Sequence, residues 1–252
     1  MCCFSQSVRS VSATRIFARH LYETRRQTLI YSMHIDAPTE VAMILPIPVA
    51  PATKENAVRF VDLSNYARIF RDIEACFPKP LEERTLNFGN LGAAAGGTLK
   101  VVEVGSFRAS FVPTVRDFIR LDPQFRLPDE VWSKIGQYDR YGFAVFQLKK
   151  GDAKIHPMAF DFPTAMPEKL FFPTVHIHDG KVHPKARFDH ILYCQPSRLV
   201  GGAVHEWLES PSPASSHVKV KESKGLVLGE QHVFRRTLNG EIDNKDVLLA
   251  VA

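Results

Sequence analysis

The sequence predicts an α+β fold that is mostly β, built from antiparallel sheets and hairpins with a few short helices. Three observations predict it: short apolar or alternating runs dominate the chain, clusters of Gly, Asp, Asn and Pro separate them, and few stretches carry helical spacing. At 252 residues the chain can bury a self-supporting core, and 45% hydrophobic with 23% charged residues excludes collagen, wholesale disorder and a polytopic membrane protein.

The first predicted unit is a hairpin. Residues 14–22 and 27–35 both carry β-branched and aromatic residues, and Glu23 to Arg26 would make the turn. The basic, acid-free composition of residues 1–22, with Arg9, Arg15 and Arg19, also fits an organellar transit peptide. The hairpin is the more economical reading and goes with a cytoplasmic location; the organellar one is the alternative. Residues 42–51 are apolar but hold three prolines, Pro46, Pro48 and Pro51, which predicts an edge strand or an extended crossing segment. Tyr66 to Cys76 is the expected helix of the N-terminal half, with Ser64 or Asn65 as N-cap and Pro78 and Pro80 as its stop.

Leu91 to Gly97 reads as a loop, followed by strands 99–104 and 107–112 around Gly105-Ser106. Short helical stretches are expected at 114–121 and 128–135, the second opening Pro-Asp-Glu. Four more strands are expected at 141–148, 155–162, 170–178 and 181–194. The Ser-Pro-rich stretch 210–216 has linker composition, which divides the chain into a main β-rich domain at 1–209 and a C-terminal extension at 210–252. Asn239-Gly240, between 231–238 and 241–251, predicts a hairpin packed on the main body. No internal repeat is visible.

Charge argues against a nucleic-acid partner: a formal +5 from 32 basic and 27 acidic residues is spread along the chain, with no dense basic run interleaved with aromatics. No apolar stretch of about 18 residues occurs, so no membrane span is expected. Four cysteines, two of them vicinal, do not make a disulfide scaffold and suit a reducing compartment. Dinucleotide, phosphate-loop and Gly-x-Ser-x-Gly signatures do not occur.

Two candidate sites remain. In Thr174-Val-His-Ile-His-Asp-Gly-Lys-Val-His183, a type I′ turn at Asp179-Gly180 would set His176 opposite His183 and put His176, His178 and His183 on one face. Cross-strand Cβ atoms roughly 5 Å apart let two imidazoles converge on one zinc, copper or iron ion. His190 and Cys194 have the opposite parity from His183, and a bulge at Pro184 would bring them in as further ligands. The plainer reading is an amphipathic hairpin with solvent-facing or hydrogen-bonded histidines. His-x-His also resembles the cupin metal motif, with His183 near the place of its acidic ligand.

The second candidate is Cys2. Removal of Met1 would leave a free α-amino group, near neutral in pKa, beside the Cys2 thiol, and such an amine can serve as its general base. Met1-Cys2 is similar to the openings of glutamine amidotransferases and cholylglycine hydrolases, which implies an accompanying arginine and aspartate on the following strands; Arg15 or Arg19 is nominated for the arginine, and no aspartate is matched.

Cys2-Cys3-Phe4, the hairpin, and Ala42-Met-Ile-Leu-Pro-Ile-Pro-Val49 together resemble the opening of an uncharacterised bacterial domain family of unknown function. The resemblance covers about the first 75 residues and implies a β-rich fold and an early cysteine with a role, but no activity. The chain lacks that family's signal peptide and fuller cysteine set. Three readings therefore stand: a soluble metal-binding β-domain using the histidine hairpin, an amidase-like hydrolase with Cys2 as nucleophile, and a noncatalytic interaction or structural domain.

Overall fold

The computed structural model describes residues 2–78, 102–104, 107–197 and 205–251. Sixteen strands occur among them: β1 (Cys2–Phe4), β2 (Ser10–Leu21), β3 (Arg26–Ala37), β4 (Val41–Ile47), β5 (Arg59–Asp62), β6 (Val102–Val104), β7 (Phe107–Val112), β8 (Gly142–Leu148), β9 (Gly151–Lys154), β10 (Met158–Pro163), β11 (Lys169–Phe172), β12 (His176–Ile177), β13 (Lys185–Gln195), β14 (Leu208–Glu209), β15 (Phe234–Asp243) and β16 (Val247–Ala250). The α-helices are short, α1 (Ile69–Glu74) and α2 (Asp129–Trp132), and 3₁₀ segments of three to six residues supply the rest of the helical structure. The mostly β, α+β class is therefore the observed one. No helix among the described residues is long and apolar enough to cross a membrane.

Sheet A runs β12-β1-β4-β8-β7-β6; sheet B runs β14-β15-β13-β2-β3-β10-β5, with β9 also paired to β3; β11 and β16 form a separate pair. Alternation along the strands sorts side chains into layers. Met43 and Leu45 of β4 and Phe146 of β8 meet Ile16, Tyr31 and Phe160 of sheet B in one shared core. The intervening residues of sheet A, Ala42, Ile44, Phe143 and Val145, face a second cluster supplied by Phe118, Leu121, Val131 and Tyr138. The outer face of sheet B, with Phe17, Ile30 and Tyr193, packs under α1 and the segment carrying Ala214, Val218 and Leu226. Both sheets are thus covered on two sides, which is why β4 reads as an unbroken apolar run.

The first hairpin forms as the sequence predicts: β2 and β3 pair from Ser10↔Asp36 to Leu21↔Arg26. Its turn is a 3₁₀ turn at Tyr22–Thr24 closed by Arg25 in the left-handed region, whose N–H donates to Tyr22 O. A register shift between Ser12 and Arg15 bulges β2, and there the Ala13 N–H donates to Asp189 Oδ2 at 2.6 Å. The expected helix at 66–76 is shorter, a turn at Ser64–Tyr66 followed by α1, and neither Ser64 nor Asn65 caps it. The expected loop at 91–97 and turn at 105–106 lie outside the described residues.

Three turn and edge expectations are corrected. First, β4 is an internal strand, hydrogen-bonded to β8 along its whole length and to β1 at Met43 and Ile44. Pro46 is tolerated because β1 is three residues long and ends short of it, so the strand is locally an edge there. Second, Asn239-Gly240 does not reverse the chain. Gly240 takes φ +90° inside the continuous strand β15, which pairs residue for residue with β13 from Cys194↔Phe234 to Lys185↔Asp243. Third, Asp179-Gly180 does not build a hairpin: β12 pairs in parallel with β1, Cys2↔His176 and Cys3↔Ile177. In both turns the long-range partner prevails over the local turn signal.

Candidate functional site

In the strand register, Cys2 of β1 is the backbone partner of His176 of β12 in sheet A. That register rearranges the histidines. His176 comes from the edge strand of sheet A and His178 from just beyond it, whereas His190 stands on β13 in the middle of sheet B, on the same face as the core residues Phe188, Leu192 and Cys194. The cluster therefore bridges the two sheets.

His176 Nε2 and His190 Nε2 are 3.0 Å apart, a hydrogen bond in which one ring donates and the other accepts. His178 stacks on His176, with centroids 4.8 Å apart and planes 20° apart. Phe188 stacks on the His176 ring at 4.3 Å, and Phe4 approaches His178 at 5.5 Å. His176 and His190 are buried, and the Nε2 of His178 and the Nδ1 of His190 are buried without a hydrogen bond among the described residues. Asp189 Oδ1 lies 3.5 Å from His190 Nδ1.

Burial sets the protonation state. It pushes His176 down to about 2, helped by the charges of His190 and His178. It pushes His178 down to about 4, again helped by His190. His190 is lowered by burial against the opposing pull of Asp189. All three rings are neutral at neutral pH.

The edge of β12 is closed by a side chain. Asn244 Oδ1 accepts from His176 N at 2.7 Å, while its Nδ2 donates to His176 O at 3.0 Å and to His183 O at 2.9 Å. The amide thereby imitates a neighbouring strand. Asp246 continues the clasp, accepting from the backbone N–H groups of Thr174 and Val175 and from Tyr138 OH. Neither residue was singled out by sequence reasoning, and no local signal marks them, because both partners lie about 70 residues away.

His183 is not part of the cluster. It is 55% exposed and bonds to Asp179 Oδ2 at 2.9 Å. Cys194 is fully buried, four residues beyond His190 and roughly 13 Å along the strand, and burial holds its thiol protonated. His156 lies apart as well, its ring 4.0 Å from that of Phe107. The expected ligand set of His176, His178 and His183, extended by His190 and Cys194, is therefore not assembled. Among the described residues no group of three or more His, Cys, Asp or Glu side chains is placed to hold a metal ion. The rings of the cluster stack on and bond to one another instead of converging on a common point. Of the other thiols, Cys3 is buried, and Cys76 is buried and raised to about 11, mainly by desolvation.

No protein-family model matches the sequence, and no curated protein matches it. Among solved structures, the chain is similar to the crystal structure of baculovirus P35, with a TM-score of 0.51 at 14% identity over 96% of this chain and 97% of that one. Two further P35 structures are similar at a TM-score of 0.48. One is a mutated P35 after caspase cleavage, 14% identical over 96% of this chain and 98% of that one; the other is P35 in complex with caspase-8, 13% identical over 95% and 96%. At these identities the likeness is one of fold.

Proposed function

We propose that this chain is a noncatalytic protein-interaction domain whose partner is a protease of the caspase class. The observation that carries the reading is the similarity of fold to baculovirus P35 over nearly the full length of both chains. A mutated P35 is described after caspase cleavage, and P35 is described in complex with caspase-8. The chemistry of the described residues supports an interaction role. The three clustered histidines are neutral and engaged with one another, and the Cys76 and Cys194 thiols are buried and protonated at neutral pH.

The test is to mix the purified full chain with caspase-8 and follow size-exclusion chromatography together with peptidase activity. A stoichiometric complex and loss of activity are expected. Unchanged elution with full protease activity would overturn the caspase assignment, as would cleavage of the chain without inhibition. Near-stoichiometric zinc, copper or iron in the purified protein would instead favour metal binding over the noncatalytic reading.

A further inference from the structure

We propose that His176, His178 and His190 form a proton-sensitive clasp that holds the edge of sheet A against sheet B at neutral pH and releases it in mild acid. Few strand pairings hold that edge; the rest of its attachment is through side chains, including Ile177 in the second core cluster and the Asn244 and Asp246 bonds. The strand β12 has two residues and pairs with β1 at two positions, and its outer side is bonded to the Asn244 side chain. A strand so short depends on its side chains for its place in the sheet.

The His176–His190 pair can bond only while at least one of its rings is neutral. The His176–His190 bond needs one N–H and one bare nitrogen. A first proton puts a charge between the Phe188 and Phe4 rings, and a second removes the acceptor nitrogen and sets two like charges at bonding distance. A protonated His178 would stack a further like charge on His176.

The surroundings do little to neutralise these charges. Asp189 faces His190 at 3.5 Å, but its other oxygen accepts from Ala13 N. Asp179 acts on His178 and is bonded to the exposed His183. The low proton affinity of the cluster, due first to burial, agrees with the geometry.

The direction of the response follows. A released histidine returns to its ordinary value of 6.5, above its value in the clasp. The closed state is therefore fully favoured above that pH and loses ground as pH falls through it. Between about pH 7.5 and about pH 5.5, each ring that stays neutral in the clasp lowers the closed-to-open ratio about tenfold, up to about a thousandfold for three.

Hydrogen–deuterium exchange on the full chain, corrected for intrinsic rates, tests this at those two pH values. Protection of the amides at 176–178 and in β1 should fall by up to that factor at the lower pH, while the β2–β3 hairpin keeps its protection. Unchanged protection at 176–178 would overturn the clasp, and so would an equal loss throughout the chain, which is global unfolding. His178→Gln should reduce the response about tenfold. If that variant does not fold, an NMR titration of the unaltered protein decides. Rings that remain neutral until exchange rises support the clasp, whereas rings that titrate near pH 6.5 with protection intact overturn it. A profile that shifts when a chelator is added would also overturn it, because a bound ion would then hold the cluster.

Discussion

The buried carboxylate of Asp161 offers a sharp test of how sheet B is pinned. Its side chain is 4% exposed and accepts from Arg26 Nε through Oδ1 and from Arg59 Nε through Oδ2, both at 2.6 Å, so it joins β3, β10 and β5. The two arms differ in weight. Arg59 is 69% exposed, and a pair that open to water contributes less than about 1 kcal/mol. Arg26 is 28% exposed and also donates to Ala57 O at 2.8 Å, so its charge-assisted bond should be worth about 1.5 to 3 kcal/mol. Asp161→Asn is therefore expected to cost about 3 kcal/mol, which lowers the melting temperature by on the order of 10 °C in a chain of this size. Arg59→Ala should cost less than a third of that. Urea denaturation with a fixed m-value measures both. Equal costs for the two variants, or a cost below about 1 kcal/mol for Asp161→Asn, would refute the assignment of the stability to the Arg26 arm.

Two other substitutions probe the layers. A Cβ at Gly142 would lie 2.5 Å from Phe111 Cε2 and 2.9 Å from Val49 Cγ2, so Gly142→Ala should destabilise by about 1 to 3 kcal/mol, and Phe111→Leu should restore part of that in a double-mutant cycle. Additive costs in that cycle would show that the ring is not the obstacle. Arg19 is buried and donates to Leu226 O at 2.8 Å and Gly225 O at 2.6 Å, fixing the covering segment on sheet B. In Arg19→Met, limited proteolysis should cut near 217–231 well before the sheets open; unchanged resistance there would mean that apolar contacts alone hold the segment.

What could be read from sequence was whatever the chain decides locally. The β2–β3 hairpin was legible because alternation and a short polar turn agree, and the partners are adjacent. Pro46 misled because its tolerance depends on the length of β1, forty residues earlier, and not on its own neighbours. Gly240 misled for the opposite reason: its positive φ is real, but β13 keeps the strand extended around it. The histidines were half legible. Residues 176 and 178 belong together as read, but the third member was set by which strand of the other sheet lies opposite. The regular inner-face series Phe188, His190, Leu192, Cys194 was the available sign that His190, unlike His183, points inward.

The order in which strands meet has a cost during synthesis. Among the described residues, both parallel pairings join the start of the chain to its last third, β1 with β12 and β2 with β13. Such contacts close loops of well over a hundred residues, and topologies of this kind fold slowly. At a translation rate of about 5 to 20 residues per second, the β2–β3 hairpin waits many seconds on the ribosome before β13 is made. Until then the edge of β2 that β13 will pair with is an unpaired strand edge around Ile16, Phe17 and Ala18. A nascent chain of this design is most exposed to misassociation before residue 195 has emerged, and yield during expression should respond to chaperone supply in that interval more than to the stability of the finished fold.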